Sequence, residues 1–438
     1  MRAVVLVPER AGGSRNLRTG NGKAHHRAAV LHSSDDRLAE AVGLAEAISL
    51  DVAAAEIVPL YRPRPATLFG SGKVEELGEL VSEHGAGLAV IDHALSPVQQ
   101  RNLEKAWNCK VVDRTGLILE IFGERALTRE GRLQVELAHL TYQKSRLVRT
   151  WTHLERQRGG FGFLGGPGEA QIETDRRLID ERITAIRREL AVAVKTRGLQ
   201  RARRKRIPYP VIAIVGYTNA GKSTLFNRLT GASVSAKDQV FQTLDPPMRG
   251  LDLPSGRRAM LSDTVGFISD LPTTLVAAFR ATLEEVVEAD LVLHVRDISH
   301  PETEAQRLDV EALLSSLGVS PAAGTIEAWN KCDLLTPAER VEAERTLLRA
   351  ENQPVLVSAA TGEGLDSLRD RLDAQLGAGD EILTLDISPR DGRLLSWLHA
   401  HAEVLREETG DTGTTTARFR IDPANRGKLE SQLKRMNR

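Results

Sequence analysis

Gly216-Tyr217-Thr218-Asn219-Ala220-Gly221-Lys222-Ser223 is the stretch whose reading decides the fold. It meets the pattern G-x-x-x-x-G-K-[ST] at every position. The apolar run Val211–Val215 precedes it and the helix-like Thr224–Leu229 follows, giving the strand, loop and helix context that the pattern needs. Gly216 and Gly221 let the backbone curl so that successive N–H groups point at phosphate oxygens, and the helix N-terminus adds its positive end. Lys222 is then placed to reach the β- and γ-phosphates, and the Ser223 hydroxyl to ligate Mg2+.

The base is read further along. Asn330-Lys331-Cys332-Asp333 comes just after the apolar Thr325–Trp329. The Asp333 carboxylate can accept from guanine N1–H and its exocyclic amine together, a donor pair that adenine lacks. Asn330 can bridge loops, and the Lys331 stem can cover the flat face of the base. By itself an N-K-x-D tetrapeptide is usually a surface turn; after a P-loop and a D-x-x-G motif it specifies GTP. Ser358-Ala359-Ala360, following Pro354–Val357, supplies a short loop whose N–H can meet guanine O6.

Between these lie the switch segments. Asp263-Thr264-Val265-Gly266 follows the strand-like Ala259–Leu261; Asp263 can hold Mg2+ through water, and the Gly266 N–H can meet the γ-phosphate. Within Phe241-Gln242-Thr243-Leu244-Asp245, Thr243 is the candidate for a Mg2+ ligand that engages only when the γ-phosphate is present. The expected catalytic set is therefore Lys222, Thr243 and Gly266, with Ser223 and Thr243 on the metal. Where many GTPases carry a water-orienting Gln after D-x-x-G, this chain has Phe267, which cannot align water. A slow intrinsic enzyme that needs a partner is the expectation, whether or not Phe267 also packs beneath the switch.

At 438 residues the chain suits about three domains of ~100–200 residues each. An apolar content of 41% with 27% charged residues is that of an ordinary globular protein. Cys109 and Cys332 stand far apart, and the eleven histidines fall in no ligand spacing, so neither a disulfide framework nor a zinc cluster is expected. No run reaches the ~18 apolar residues of a membrane span, and Arg2–Pro8 is too short for a signal peptide. Net charge is zero, yet Arg197, Arg201, Arg203, Arg204, Lys205 and Arg206 cluster before the P-loop, and Lys144, Arg146, Arg149, Arg156 and Arg158 form a second basic stretch. Such flanking clusters suit a phosphate backbone, although a solvated helix face explains charge alone equally well.

The pattern divides the chain into four parts: an α/β domain over 1–128, a helical hairpin over 129–206, a nucleotide domain over 207–378 and a small α/β domain over 379–438. In the first, Val4–Val7, Val52–Pro59, Leu88–Ile91 and Lys110–Val112 read as strands; Asp36–Ser49, Val74–His84, Pro97–Trp107 and Thr115–Arg125 read as helices. This alternation implies a parallel sheet covered by helices. Phe69-Gly-Ser-Gly72-Lys73 lacks full phosphate-loop spacing and reads as a tight turn into the Val74 helix. Leu133, Leu137, Leu140, Leu147, Trp151 and Leu154, and then Ile179, Ile183, Ile186, Leu190 and Val194, recur at helical spacing. They predict two long antiparallel helices. The run Gly159–Gly168 between them is expected to be a non-helical tip, with Phe161 and Phe163 giving it more than a connector's content. Arg203–Pro210 is the expected hinge. In the last part, Ile382–Ile387 and Thr414–Ile421 read as strands, Leu394–Arg406 and a segment from Gly427 as helices.

These segments resemble the HflX-type GTPases, a bacterial ribosome-associated family. The resemblance rests on Leu68-Phe-Gly-Ser-Gly-Lys-Val-Glu-Glu-Leu77, Asp113-Arg-Thr-Gly-Leu-Ile-Leu119, Thr128-Arg-Glu-Gly-Arg-Leu-Gln-Val-Glu-Leu137, Gly166-Pro-Gly-Glu169 and Glu173-Thr-Asp-Arg-Arg177, together with the nucleotide motifs and Phe267. It implies a multidomain α/β protein that binds the large ribosomal subunit and its RNA and splits stalled or idle ribosomes under stress. It also implies that the hairpin tip reaches toward the peptidyl-transferase centre. Mg2+ as cofactor, GTP as substrate, a monomer and a cytoplasmic location, with peripheral membrane attachment left open, are the matching expectations. A GTP-gated RNA-binding or ribosome assembly factor is the alternative reading.

Overall fold

The computed structural model describes residues 1–10, 32–126, 128–157, 167–204, 209–232, 247–264, 266–269, 285–319, 324–350, 352–410, 413–421 and 423–436. Its first sheet is built from β1 (Arg2–Arg10), β2 (Asp51–Leu60), β3 (Leu88–Ile91) and β4 (Lys110–Asp113) in the order β2-β1-β3-β4, all parallel. A parallel strand with both faces covered reads as one apolar run, and β1 shows why. Val4 and Leu6 enter one core, while Ala3, Val5 and Val7 enter the other. Helices α1 (Ser34–Glu46) and α4 (Arg114–Arg125) cover the second face; α2 (Ser71–Glu83) and α3 (Pro97–Trp107) cover the first. Ser96 and Gln99 form a reciprocal cap with Pro97 at the first turn of α3, where a missing N–H costs nothing. Trp107 Nε1 donates to the Val74 carbonyl at 2.8 Å and ties α3 to α2. The turn expected over Phe69–Lys73 is shorter than read: Gly70 is already the N-cap of α2, so Ser71, Gly72 and Lys73 form its first turn, with Lys73 paired to Glu76.

α5 (Arg129–Gln157) packs on α6 (Pro167–Arg204). Pairs Arg129–Glu189, Glu136–Arg182 and Lys144–Asp180 run in opposite chain directions, so the two helices are antiparallel. Leu133, Ile183 and Ile186 are buried. Two expectations are corrected here. α6 already starts at Pro167, so Pro167 and Gly168 belong to its first turn rather than to the tip; proline's fixed φ suits that position. α6 also runs to Arg204, which places the start of the expected hinge inside the helix. Residues 158–166 and 205–208, and the side chains of Trp151, Leu154, Arg149, Arg156, Val194, Arg197, Arg201, Arg203 and Arg204, lie outside the described residues.

The central sheet holds β5 (Val211–Val215), β6 (Met248–Asp252), β7 (Arg258–Asp263), β8 (Leu291–Asp297), β9 (Thr325–Asn330) and β10 (Val355–Leu356) in the order β10-β9-β8-β5-β7-β6. All pairs are parallel except β6 with β7. All seven residues of β8 are buried. Helices α7 (Lys222–Thr230), α8 (Thr303–Ser316), α9 (Pro337–Arg349) and α10 (Leu365–Leu376) accompany it. The strand order reverses beside β5, and ligands of such sheets bind at the carboxyl ends of the strands there.

The last sheet is antiparallel, β11 (Glu381–Ile387), β13 (Thr415–Ile421) and β12 (Glu403–Thr409) in the order β11-β13-β12, with α11 (Gly392–His401) and α12 (Pro423–Met436). The predicted helix Leu394–Arg406 is too long. It stops at His401, and Glu403–Thr409 becomes an edge strand. Glu-Val-Leu-Arg-Glu-Glu carries good helix formers, but backbone pairing with β13 overrides that preference. Arg257 with Asp380 (2.6 Å), and Arg420 with the Ser255 carbonyl (3.0 Å), fasten this part to the central sheet. The first sheet is fastened too: one continuous apolar cluster contains Val5, Leu44, Ile121, Val215, Phe267 and Val310.

Candidate nucleotide site

The P-loop joins β5 to α7. Gly216 has φ +152, and a Cβ there would lie 2.2 Å from the Val295 carbonyl oxygen on neighbouring β8. Gly221 has φ +89, and its Cβ would lie 2.2 Å from Asn330 Nδ2. Only glycine fits either place. Asn219 also adopts positive φ, which Asn tolerates better than most residues. Lys222 is buried and donates to the Tyr217 carbonyl at 2.7 Å. Burial pushes its amine down to about 8, against the opposing charge of Asp263. Ser223 Oγ donates to Asp263 Oδ2 at 2.7 Å.

The D-x-x-G segment leaves the carboxyl end of β7 beside this loop. Asp263 and Thr264 are buried, and Thr264 Oγ1 donates to the Ile214 carbonyl. A Cβ on Gly266 would lie 2.8 Å from Thr218 Cγ2 and 3.1 Å from Lys222 Nζ, so this glycine is held tight against the loop. Phe267 N–H donates to the Gly216 carbonyl at 3.1 Å, and its own carbonyl accepts from Thr218 N–H at 2.7 Å. The Phe267 ring is 4% exposed and lies in the apolar core shared with the first sheet. The packing account of this residue therefore describes its side chain.

The base-side motif closes the other wall. Asn330 Nδ2 donates to the Ala220 carbonyl at 2.8 Å while its Oδ1 accepts from Ala359 N–H at 2.9 Å. One buried amide thus ties the P-loop to the Ser358–Ala360 loop. Lys331 has φ +66, and its amine meets Asp297 at 2.7 Å. Cys332 is buried, its N–H on the Val357 carbonyl at 3.2 Å; burial and the Glu363 charge push the thiol up to about 11, so it remains protonated. The Asp333 carboxylate is exposed. Ser358 is fully buried and accepts from Thr361 N–H at 3.1 Å, and the Ala360 carbonyl accepts from Arg228 at 3.1 Å.

The structure thus brings together Gly216–Ser223, Asp263, Thr264, Gly266, Asn330–Asp333 and Ser358–Ala360. Phe241, Gln242, Thr243, Leu244, Asp245 and Val265 lie outside the described residues.

Sequence reasoning missed Asp297, Glu40, Arg114 and Ser269. Asp297 had a signal, because the run Leu291–Asp297 ends a strand with a carboxylate, as Ala259–Asp263 does. Arg114 stood in the run Asp113–Leu119 that carried the resemblance, with no role assigned to it, whereas Glu40 and Ser269 had no signal, being distant along the chain. Tyr217 Oη accepts from Ser269 N–H at 2.8 Å and donates to Glu40 of α1. Ser269 Oγ donates to Glu40 Oε1 at 2.9 Å. Burial, with the Glu40 charge and hydrogen bond, holds the Tyr217 phenol well above its usual range.

Three family models match along this architecture: GTP-binding GTPase N-terminal over residues 35–123, GTP-binding GTPase middle region over 125–204, and 50S ribosome-binding GTPase over 211–331. GTPase HflX of Magnetococcus marinus is 52% identical over 398 residues, spanning 91% of this chain and 91% of that protein. GTPase HflX of Escherichia coli is 44% identical over 362 residues, spanning 82% and 83%. A solved GTP-binding protein of Sulfolobus solfataricus, in complex with GDP, is 23% identical and aligns over 86% of this chain and 99% of its own at a TM-score of 0.45. With a guanine-nucleotide site of this form and identity sustained along most of its length, the chain is a GTP hydrolase and belongs to the HflX family of GTPases.

Proposed function

We propose that this GTPase binds the large ribosomal subunit and dissociates stalled or idle ribosomes, with hydrolysis stimulated by the ribosome. The observation that carries the reading is the hairpin: helices of 29 and 38 residues are rooted in the first sheet, which itself packs on the nucleotide site. α5 is held to the first sheet as far as Arg146, and at ~1.5 Å per residue its remainder, to Gln157, reaches roughly 16 Å past that contact. The four-part division at 128, 206 and 378 belongs to the same proposal: one part hydrolyses, one reaches, one joins the two, and the small C-terminal part is anchored through Arg257 and Arg420.

In the proposed site, the P-loop N–H groups and the α7 N-terminus take the phosphates, and Lys222 supplies a charge at the β- and γ-phosphates. Asp333 reads guanine, with Asn330 bracing the loops and Ser358–Ala360 facing O6. Ser223 and Asp263 offer a hydroxyl and a carboxylate 2.7 Å apart at the helix N-terminus. This all-oxygen donor set fits Mg2+, which keeps several of its waters; Thr243 would join them. Mg2+, when bound, supplies charge neutralisation at the phosphates. A water oxygen attacks the γ-phosphorus in line, the bond to the β-phosphate oxygen breaks, and GDP and phosphate leave. Phe267 offers no group to align that water, which supports a slow basal rate and dependence on a partner. A monomer acting in the cytoplasm suits this role; no helix among the described residues is long and apolar enough to cross a membrane.

The test is sedimentation of intact ribosomes with the protein and GTP or GDP, alongside GTP turnover with and without large subunits. Splitting supports the reading. Binding confined to immature subunits transfers it to a GTP-gated assembly factor. Shortening residues 159–168 should leave nucleotide binding intact and sharply reduce splitting; full splitting would make that segment a connector.

A further inference from the structure

Two consecutive residues face the two halves of this protein. β4 ends at Asp113, which caps α4 by accepting from Gly116 N–H at 2.8 Å. The same buried carboxylate accepts from Tyr142 Oη at 2.5 Å and from the Arg146 guanidinium at 2.7 Å, both on the first hairpin helix. Arg146 also lies over the Tyr142 ring at 4.2 Å, so the middle of α5 (Arg129–Gln157) grips Asp113 at two points.

Arg114, the next residue, turns the other way. Its buried guanidinium is fixed by Asp92 and Glu40, and it donates to the Ser269 carbonyl at 2.8 Å and to Ser269 Oγ at 3.0 Å. Asp92 is steadied in turn by Arg37 at 2.9 Å. Ser269 lies three residues beyond Gly266, on the segment already bridged to the P-loop through Phe267. A planar guanidinium fork fixes direction as well as distance. A buried charge with this many partners cannot swing free without leaving other charges unpaired.

We infer that Arg114 is a positioning residue for GTP hydrolysis, and that the Asp113–Arg114 step carries displacement of the hairpin to the segment beginning at Gly266. The capped strand-to-helix turn allows neither residue to shift without the other. The inference deepens the ribosome reading by naming the joint through which the arm and the nucleotide site communicate. It is tested without ribosomes, so that either can fail alone.

The experiment measures steady-state GTP hydrolysis and thermal unfolding of the full-length protein. The variants are Glu40→Gln, Arg114→Gln, Arg114→Lys, Tyr142→Phe and the pair Glu40→Gln with Tyr142→Phe. Misplacing a reacting group by ~1 Å can cost ~100-fold, so Glu40→Gln and Arg114→Gln are expected to lower kcat about tenfold with KM moving less than about twofold. Arg114→Lys keeps the charge without the fork and should recover part of the loss. Tyr142→Phe should lower kcat by about threefold, and the pair should lose less than the product of the two single losses, as coupled sites do. A lowered Tm with unchanged kcat in the folded glutamine variants would reduce Arg114 to a structural residue and overturn the inference. Strict additivity of the pair would equally overturn the link to the hairpin.

Discussion

The nucleotide site and the joint between the first and central sheets are built by opposite means. The P-loop shapes itself from backbone: two glycines at positive φ, each pressed within 2.2 Å of where a neighbour's atoms would meet a Cβ. Few side-chain charges are buried there, Lys222, Asp263 and Asp297 being the exceptions among the described residues. The joint is built from charged side chains instead. Glu40 on α1, Asp92 just after β3, Asp113 at the end of β4 and Arg114 opening α4 meet Tyr142, Arg146, Tyr217 and Ser269 from elsewhere. A backbone device tolerates almost no substitution but needs only a short contiguous motif. A side-chain network can be retuned one residue at a time, but it exists only once distant parts of the chain are folded together.

Substitutions can break that contrast. The largest effect on nucleotide binding is expected from Gly216→Ala, because the neighbour in the way is the main chain of β8, which cannot swing aside. Overpacking of this kind costs about 3 kcal/mol, and nucleotide binding should be lost in a fluorescent-nucleotide titration. Normal binding by the alanine variant would mean the loop is far softer than drawn. Asp333→Asn comes next. A carboxylate accepting two guanine protons becomes an amide accepting fewer, a loss of about 2 kcal/mol or roughly thirtyfold in GTP affinity. Xanthosine nucleotides should gain relative to GTP, and an unchanged preference would remove Asp333 from base recognition.

Phe267 sharpens the contrast from the other side. Since the ring is core, Phe267→Ala should cost about 3–5 kcal/mol of stability. Phe267→Leu is the fairer probe of catalysis. It should keep basal hydrolysis close to the parent's, while Lys222→Ala and Ser223→Ala abolish most of it. A collapse of turnover in the folded leucine variant alone would give the ring a direct role.

The mildest prediction concerns pH. His32 joins the first sheet's side of the molecule to α8, its ring nitrogens 2.6 Å from Glu302 and 2.8 Å from Asp309. Burial by itself would push the imidazole down, but the hydrogen bonds and charges of Asp309 and Glu302 outweigh it and raise it from 6.5 to about 9. Because the folded value lies above the unfolded one, the stabilisation is complete below about pH 6.5 and disappears as pH rises through about 9. Thermal unfolding at several pH values should show this decline in the parent and a flatter profile in His32→Gln. Parallel profiles would mean the cluster contributes no proton-linked stability.

The sequence by itself determined the central sheet's ligand and most of the first sheet. Gly216–Ser223, Asp263–Gly266 and Asn330–Asp333 are local motifs, and each lies in one stretch because a strand end and the loop after it are covalently continuous. The alternation from Val4 to Arg125 was legible for a similar reason: burial on both faces leaves uninterrupted apolar runs between amphipathic helices. Reading failed where local preference and tertiary pairing disagreed, as at Glu403–Thr409, a helix-favouring stretch drawn into an edge strand by β13. The hairpin's helices could be seen in the spacing of Leu133 to Leu154, but the grip of Tyr142 and Arg146 on Asp113 could not. Only the tertiary structure set Arg114 beside Ser269, 155 positions away. Hydrogen bonds between residues so far apart leave no periodic trace in composition or spacing, and only the packing of the first sheet against the P-loop brings their partners within reach.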